Sequence, residues 1–119
     1  MKKISKKGIV YIIINPCFQD WVKIGRSANS DIQVRLKELN DLSSTPLPFF
    51  AYAVYFVKDP KKVEEFIHGV IDQLNPDLRA KSKLANGKIR KREFFRMKPE
   101  EAYGIFCQIA SLNDDIKNI

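Results

Sequence analysis

Six residues of this chain have the chemistry of a site that handles a phosphodiester: Tyr11, Lys23, Arg35, Glu64, His68 and Glu93. Cleaving such a bond takes a group that activates or orients the nucleophile, cations around the phosphate, and usually a metal held by carboxylate oxygens. A phenol at Tyr11, cations at Lys23 and Arg35, and carboxylates at Glu64 and Glu93 supply one of each. Each also has an ordinary structural role. A strand tyrosine is commonly core, and a strand lysine commonly guards a sheet edge. Arg35 is a natural helix ion-pair partner, and Glu64 a solvated neighbour of Lys61. His68 suits boundary packing, and Glu93 suits pairing with the arginines beside it.

The elements that must position these residues begin with residues 8–25. Gly8-Ile9-Val10-Tyr11-Ile12-Ile13-Ile14 and Trp21-Val22-Lys23-Ile24-Gly25 are dense in β-branched and aromatic residues, with Asn15-Pro16 between them. This pattern predicts an antiparallel hairpin. Alternation puts Ile9, Tyr11 and Ile13 on one face and Val10, Ile12 and Ile14 on the other. A strand apolar on both faces is expected to be central in its sheet. Lys23 then sits inside a run that should be half buried.

Past Gly25, the polar Arg26-Ser27-Ala28-Asn29-Ser30 leads into a helix over about 31–41, capped by Ser30 or Asp31, with Ile32, Leu36 and Leu39 as its buried stripe. Arg35 lies at the edge of that stripe, where the stem packs and the guanidinium is held at the core boundary. Residues 49–57 form the third strand, and Asp59-Pro60 opens a second helix over about 60–74. On that helix Glu64 sits beside the apolar face made by Val63, Phe66, Ile67, Val70, Ile71 and Leu74, whereas Glu65 points away. His68 follows Glu64 by one turn on the same flank.

The composition then shifts. Arg79, Lys81, Lys83, Lys88, Arg90, Lys91 and Arg92 crowd a stretch almost empty of acids, and Asn86-Gly87 within it signals a tight turn. A short strand around Glu93-Phe94-Phe95 follows, then a closing helix from Pro99 to near Leu112. Residues 1–7 read as a basic tail before a single domain over 8–119. The expected fold is α/β of the α+β kind: a small three-stranded antiparallel sheet flanked by helices, with an extra short C-terminal strand and closing helix.

Charge narrows the partner. The formal net charge is +7, which favours a polyanion, with nucleic acid ahead of an anionic membrane surface. The basic segment and Arg26 are the expected nucleic-acid contacts. No apolar run reaches the ~18 residues that span a membrane, and no basic amphipathic helix suits a membrane surface. Two distant cysteines, Cys17 and Cys107, match no metal or redox spacing and suggest a reducing, cytoplasmic setting. With His68 the single histidine, a cysteine–histidine zinc site is set aside.

The motifs together resemble the GIY-YIG nuclease superfamily, with Ile9-Val10-Tyr11 and Lys23-Ile24-Gly25 as half-motifs. The closest likeness is to its short, phage-type branch, through Asn15-Pro16, Val22-Lys23-Ile24-Gly25, Arg35, Glu64 with His68, and Arg92-Glu93-Phe94-Phe95. The resemblance implies a metal-dependent endonuclease acting on DNA, RNA being an open alternative. It implies Tyr11 as base or nucleophile orienter, Arg35 at the scissile phosphate, and Glu64 as ligand of a single divalent metal, Mg2+ or Mn2+. His68 and Glu93 match positions typical of the branch. Lys23 stands where the superfamily has tyrosine, so it serves as a cation at the phosphate or as the base. The alternative function is a nucleic-acid-binding module that cuts poorly or not at all.

Overall fold

The first strand, β1 (Gly8–Ile14), is buried on both faces from Gly8 to Ile13, as its unbroken apolar run requires. The computed structural model describes residues 8–110 and 117–118; the expected basic tail and Leu112 fall outside them. In chain order follow β2 (Val22–Ser27), α1 (Ile32–Leu42), β3 (Phe50–Val57), α2 (Pro60–Leu74), β4 (Arg79–Lys83), β5 (Ile89–Phe95), α3 (Pro99–Ala110) and a two-residue β6 (Lys117–Asn118). The pairings are antiparallel and the strand order is β4-β5-β2-β1-β3-β6, so β1 lies inside the sheet.

The expected three-stranded sheet with one extra strand is therefore an undercount, although the α+β class holds. Two strands were missed: the two-residue β6, and β4, Arg-Ala-Lys-Ser-Lys, which has neither β-branched nor aromatic residues. β4 forms because the turn at Asn86-Gly87 folds it back on β5. Gly87 has φ +86, its N–H donates to the Leu84 carbonyl at 2.9 Å, and Asn86 Oδ1 accepts from Lys88 N at 3.0 Å.

Alternation along β1 divides the core in two. Ile9, Tyr11 and Ile13 pack with Leu36 of α1 and Phe49 on one face. Val10 and Ile12 pack with Val63, Ile67 and Ile71 of α2 and with Phe106 and Ile109 of α3 on the other. The helices start where expected: Asp31 Oδ1 accepts from Gln33 N at 2.9 Å, and Asp59 Oδ1 from Lys62 N at 3.2 Å with Pro60 in the first turn. Cys17 and Cys107 are free thiols. No helix among the described residues is long and apolar enough to cross a membrane.

Candidate functional site

β2 and β5 pair at two positions among the described residues, Val22↔Phe95 and Lys23↔Phe94. Past Lys23, β2 continues on β1 alone, through Gly25↔Tyr11 to Ser27↔Ile9. A polar cleft of ≈ 350 Å³ opens there, lined by Arg26, Ser27, Ala28, Arg35 and Glu93. Three side-chain pairs meet at it, each with one partner in the lining.

In the first pair, Arg35 Nε donates to the Tyr11 hydroxyl oxygen at 3.1 Å, while its Nη1 contacts Glu38 at 3.2 Å. Tyr11 is fully buried and its ring lies on the Gly25 backbone: a Cβ at Gly25 would stand 2.6 Å from the Tyr11 hydroxyl oxygen. Glycine inside a strand often marks such a close approach. Burial pushes the phenol above its ordinary pKa, against the opposing pull of Arg35, so the hydroxyl is protonated at neutral pH. Because it accepts from Arg35, its own proton remains available to donate.

In the second pair, Arg26 Nε donates to Glu64 Oε1 at 3.1 Å. Glu64 is 4% exposed, so it is not the solvated neighbour of Lys61 that its helix position also allows. Its second oxygen, Oε2, is buried without a hydrogen-bond partner. Burial first, and then the charge of Glu93, raise the Glu64 pKa to about 7, with Arg26 and Lys23 pulling the other way. The helical-wheel choice between neighbouring glutamates matches this placement, since Glu65 is exposed.

In the third pair, Lys23 Nζ lies 3.2 Å from Glu93 Oε1 and 5.1 Å from the centroid of the Phe94 ring. Lys23 is not an edge-strand guard, because β2 lies between β5 and β1 and the lysine side chain is 16% exposed. Glu93 pairs across the gap with Lys23.

The family model that matches the chain over residues 8–110 is that of the T5orf172 domain. The chain belongs to the T5orf172 domain family. This corrects the resemblance read from the half-motifs: the matching model is a different family, and no GIY-YIG family matches. The segments that carried the resemblance, from Tyr11 and Lys23-Ile24-Gly25 through Arg35 and Glu64 with His68 to Arg92-Glu93-Phe94-Phe95, are short and separated, and do not by themselves fix the family. No curated relative and no solved structure matches the chain. The T5orf172 domain is nuclease-like and associated with DNA binding, which gives the protein a nucleic-acid-related role in coarse terms.

Within this T5orf172 domain His68 stands apart from the cleft lining. Its Nε2 meets the Ile24 carbonyl at 2.9 Å, its Nδ1 meets Arg79 Nη2 at 3.1 Å, and its ring packs on Phe95. Since a carbonyl only accepts and a guanidinium only donates, the imidazole is neutral with its proton on Nε2. Burial lowers its pKa in the same sense. Arg79, expected among the nucleic-acid contacts, is drawn inward: Nη1 reaches Asp72 at 2.9 Å and Nε donates to the Arg92 carbonyl. Lys81, Lys83, Lys88 and Arg92 are exposed along the β4–β5 hairpin, and Arg26 is exposed beside the cleft. Arg90 and Lys91 lie in β5, paired through their backbones with Ser82 and Lys81.

The residues fit a divalent cation in one respect, the orphaned carboxylate oxygen of Glu64. No group of three acidic, histidine or cysteine residues among those described could share it. Mg2+ keeps several waters and needs few protein ligands, so one carboxylate together with substrate phosphate suffices. Reading the sequence missed the Arg26–Glu64 pairing and the seat that Gly25 makes for Tyr11. A glycine within the predicted strand was the available signal for the latter.

Proposed function

We propose that this T5orf172 domain hydrolyses phosphodiester bonds of DNA at the cleft between β2 and β5. The observation that supports it most is that the cleft's own Arg35, Arg26 and Glu93 connect it to the protonated Tyr11 phenol, the half-satisfied buried Glu64 carboxylate and Lys23. The phosphate sits against Arg35 and Arg26, with Lys23 beside them. The Tyr11 hydroxyl, steered by Arg35, directs its proton to the attacking water or to a phosphoryl oxygen. The raised pKa makes Tyr11 an orienting donor and not a base at neutral pH. The water oxygen bonds to phosphorus as the P–O bond to the leaving strand end breaks, and the proton the water gives up passes through solvent to the departing oxygen.

Glu64 would hold Mg2+ or Mn2+, which when bound supplies charge stabilisation to the phosphoryl oxygens. His68 serves as a positioning residue, holding the Ile24 carbonyl next to Gly25 and steadying Arg79. Lys81, Lys83, Lys88 and Arg92 extend the contact with the strand backbone, and Arg90 and Lys91 belong to the same basic hairpin.

A second reading, a DNA-binding module without chemistry, is favoured by one observation: Arg26 already occupies one oxygen of Glu64. End-labelled DNA incubated with the protein in Mg2+, in Mn2+ and in EDTA separates the two. The hydrolytic reading expects discrete products with either metal and none in EDTA. Retention of DNA with no products in either metal would leave the binding module standing.

A further inference from the structure

A second hollow involves β5 and the segment that leads into β2. It measures ≈ 190 Å³ and is lined by Phe18, Trp21, Ala80 and Phe94. Its lining is aromatic and its rim is cationic: Lys23 Nζ stands 5.1 Å from the Phe94 centroid, and the Arg96 guanidinium 5.3 Å from that of Trp21. Phe18 meets Phe94 edge to face at 6.1 Å and is still 37% exposed. The exposed Lys81 follows Ala80 on β4. Such aromatic surface bordered by cations suits a planar ring system attached to a polyanion. Its volume is below the ~300–1,000 Å³ of pockets for drug-sized ligands and suits a single base.

Lys23 links the hollow to the cleft. Glu93 lines the cleft, Phe94 lines the hollow, and Lys23 contacts both. We propose that one unpaired DNA base stacks in the Phe18–Trp21–Phe94 hollow while an adjoining phosphate lies in the polar cleft. The proposal rests on the hydrolytic reading for the identity of the polyanion and deepens it by naming the substrate class: DNA with an unpaired nucleotide at the cut, as in a single strand, a flap or a gap. In a continuous duplex the base edges and faces are held in the stack, and extruding one costs energy.

Trp21 is the single tryptophan of the chain, so tryptophan fluorescence reports on the surroundings of this one ring. The whole protein is titrated in EDTA, where no cleavage intervenes, with oligo(dT) and separately with a blunt duplex of equal length. The expected result is saturable quenching by oligo(dT) and markedly weaker quenching by the duplex. Phe18→Ala, at an exposed ring, is expected to weaken oligo(dT) binding by about fivefold to a hundredfold, the range for one base–aromatic stack. Phe94→Leu keeps the bulk and removes the ring face, and should weaken binding similarly with the fold intact. Equal quenching by strand and duplex, or unchanged oligo(dT) affinity in both variants, would overturn the proposal. Cleavage is scored separately: a protein that stacks oligo(dT) but cuts nothing defeats the hydrolytic reading and leaves the stacking site in place.

Discussion

Arg26 and Glu64 meet at 3.1 Å although the arginine side chain is 43% exposed and the glutamate 6%. The contact reaches from the mouth of the cleft to a carboxylate on α2 whose other oxygen has no partner. A buried carboxylate held by one surface cation is costly to ionise, which accounts for its pKa of about 7.

Stability should therefore carry the signature of Glu64. Its folded pKa is raised, so the unfolded chain releases this proton first, and stability falls as pH rises from the ordinary glutamate range through about 7. His68, held low by burial, works oppositely: its contribution is lost as pH falls below the ordinary histidine value. The quantity to read is thus the difference between Glu64→Gln and wild type. Urea midpoints at pH 5.5 and pH 8.0 should show the variant gaining relative to wild type at the higher pH, by roughly 1–3 kcal/mol. An unchanged difference would mean that Glu64 is not buried as an acid.

Arg26 should set the pH at which cleavage switches on. It lowers the Glu64 pKa, so Arg26→Ala should move the rising limb of the cleavage–pH profile to higher pH. The measurement is single-turnover cleavage in saturating Mg2+ from pH 6 to 9. A midpoint that stays in place or moves down would separate that limb from Glu64.

Gly25 should tolerate no side chain. A Cβ there would fall within 2.6–2.9 Å of three atoms of Tyr11, a buried residue with no room to retreat. Gly25→Ala should cost about 1–3 kcal/mol in urea unfolding and displace the phenol from Arg35. Gly104, with open space around its Cβ position, is the control: Gly104→Ala in α3 should be neutral or stabilising.

The basic residues should divide by burial. Replacing exposed Lys81, Lys83 and Lys88 together by alanine should flatten the salt dependence of DNA binding by up to about 3 in the log–log slope. Arg79→Ala should instead lower stability by roughly 2–4 kcal/mol, since it strips partners from His68 and Asp72 together. Affinity measured at four salt concentrations, beside urea melts, distinguishes the two behaviours.

What the chain discloses unaided follows periodicity. The apolar run of β1, its alternation at Tyr11, and the helices announced by Asp31 and Asp59-Pro60 are local signals, and each appears in the structure. Glu64 was separable from Glu65 because the ~100° between neighbouring helix residues decides which is buried. The Asn86-Gly87 turn was readable as a hairpin signal, but β4 was not legible as a strand of the main sheet, because its basic residues pair only when that turn presents β5 to them. Nor were the pairings Arg26–Glu64 and Lys23–Glu93, which join residues far apart in sequence across the place where β2 and β5 part. Family membership was beyond the half-motifs as well, since residues 8–110 match the T5orf172 domain.

Hydrolysis at this cleft depends on the Tyr11 hydroxyl acting at the phosphate under the guidance of Arg35, and Tyr11→Phe tests that role by removing one oxygen from a buried ring. Supercoiled plasmid is incubated with wild type and variant in Mg2+, with DNA affinity and urea midpoint recorded for both. The expected result is a roughly hundred- to thousandfold slower nicking rate in the variant, with affinity and stability close to wild type. Nicking by Tyr11→Phe at the wild-type rate would contradict the assignment.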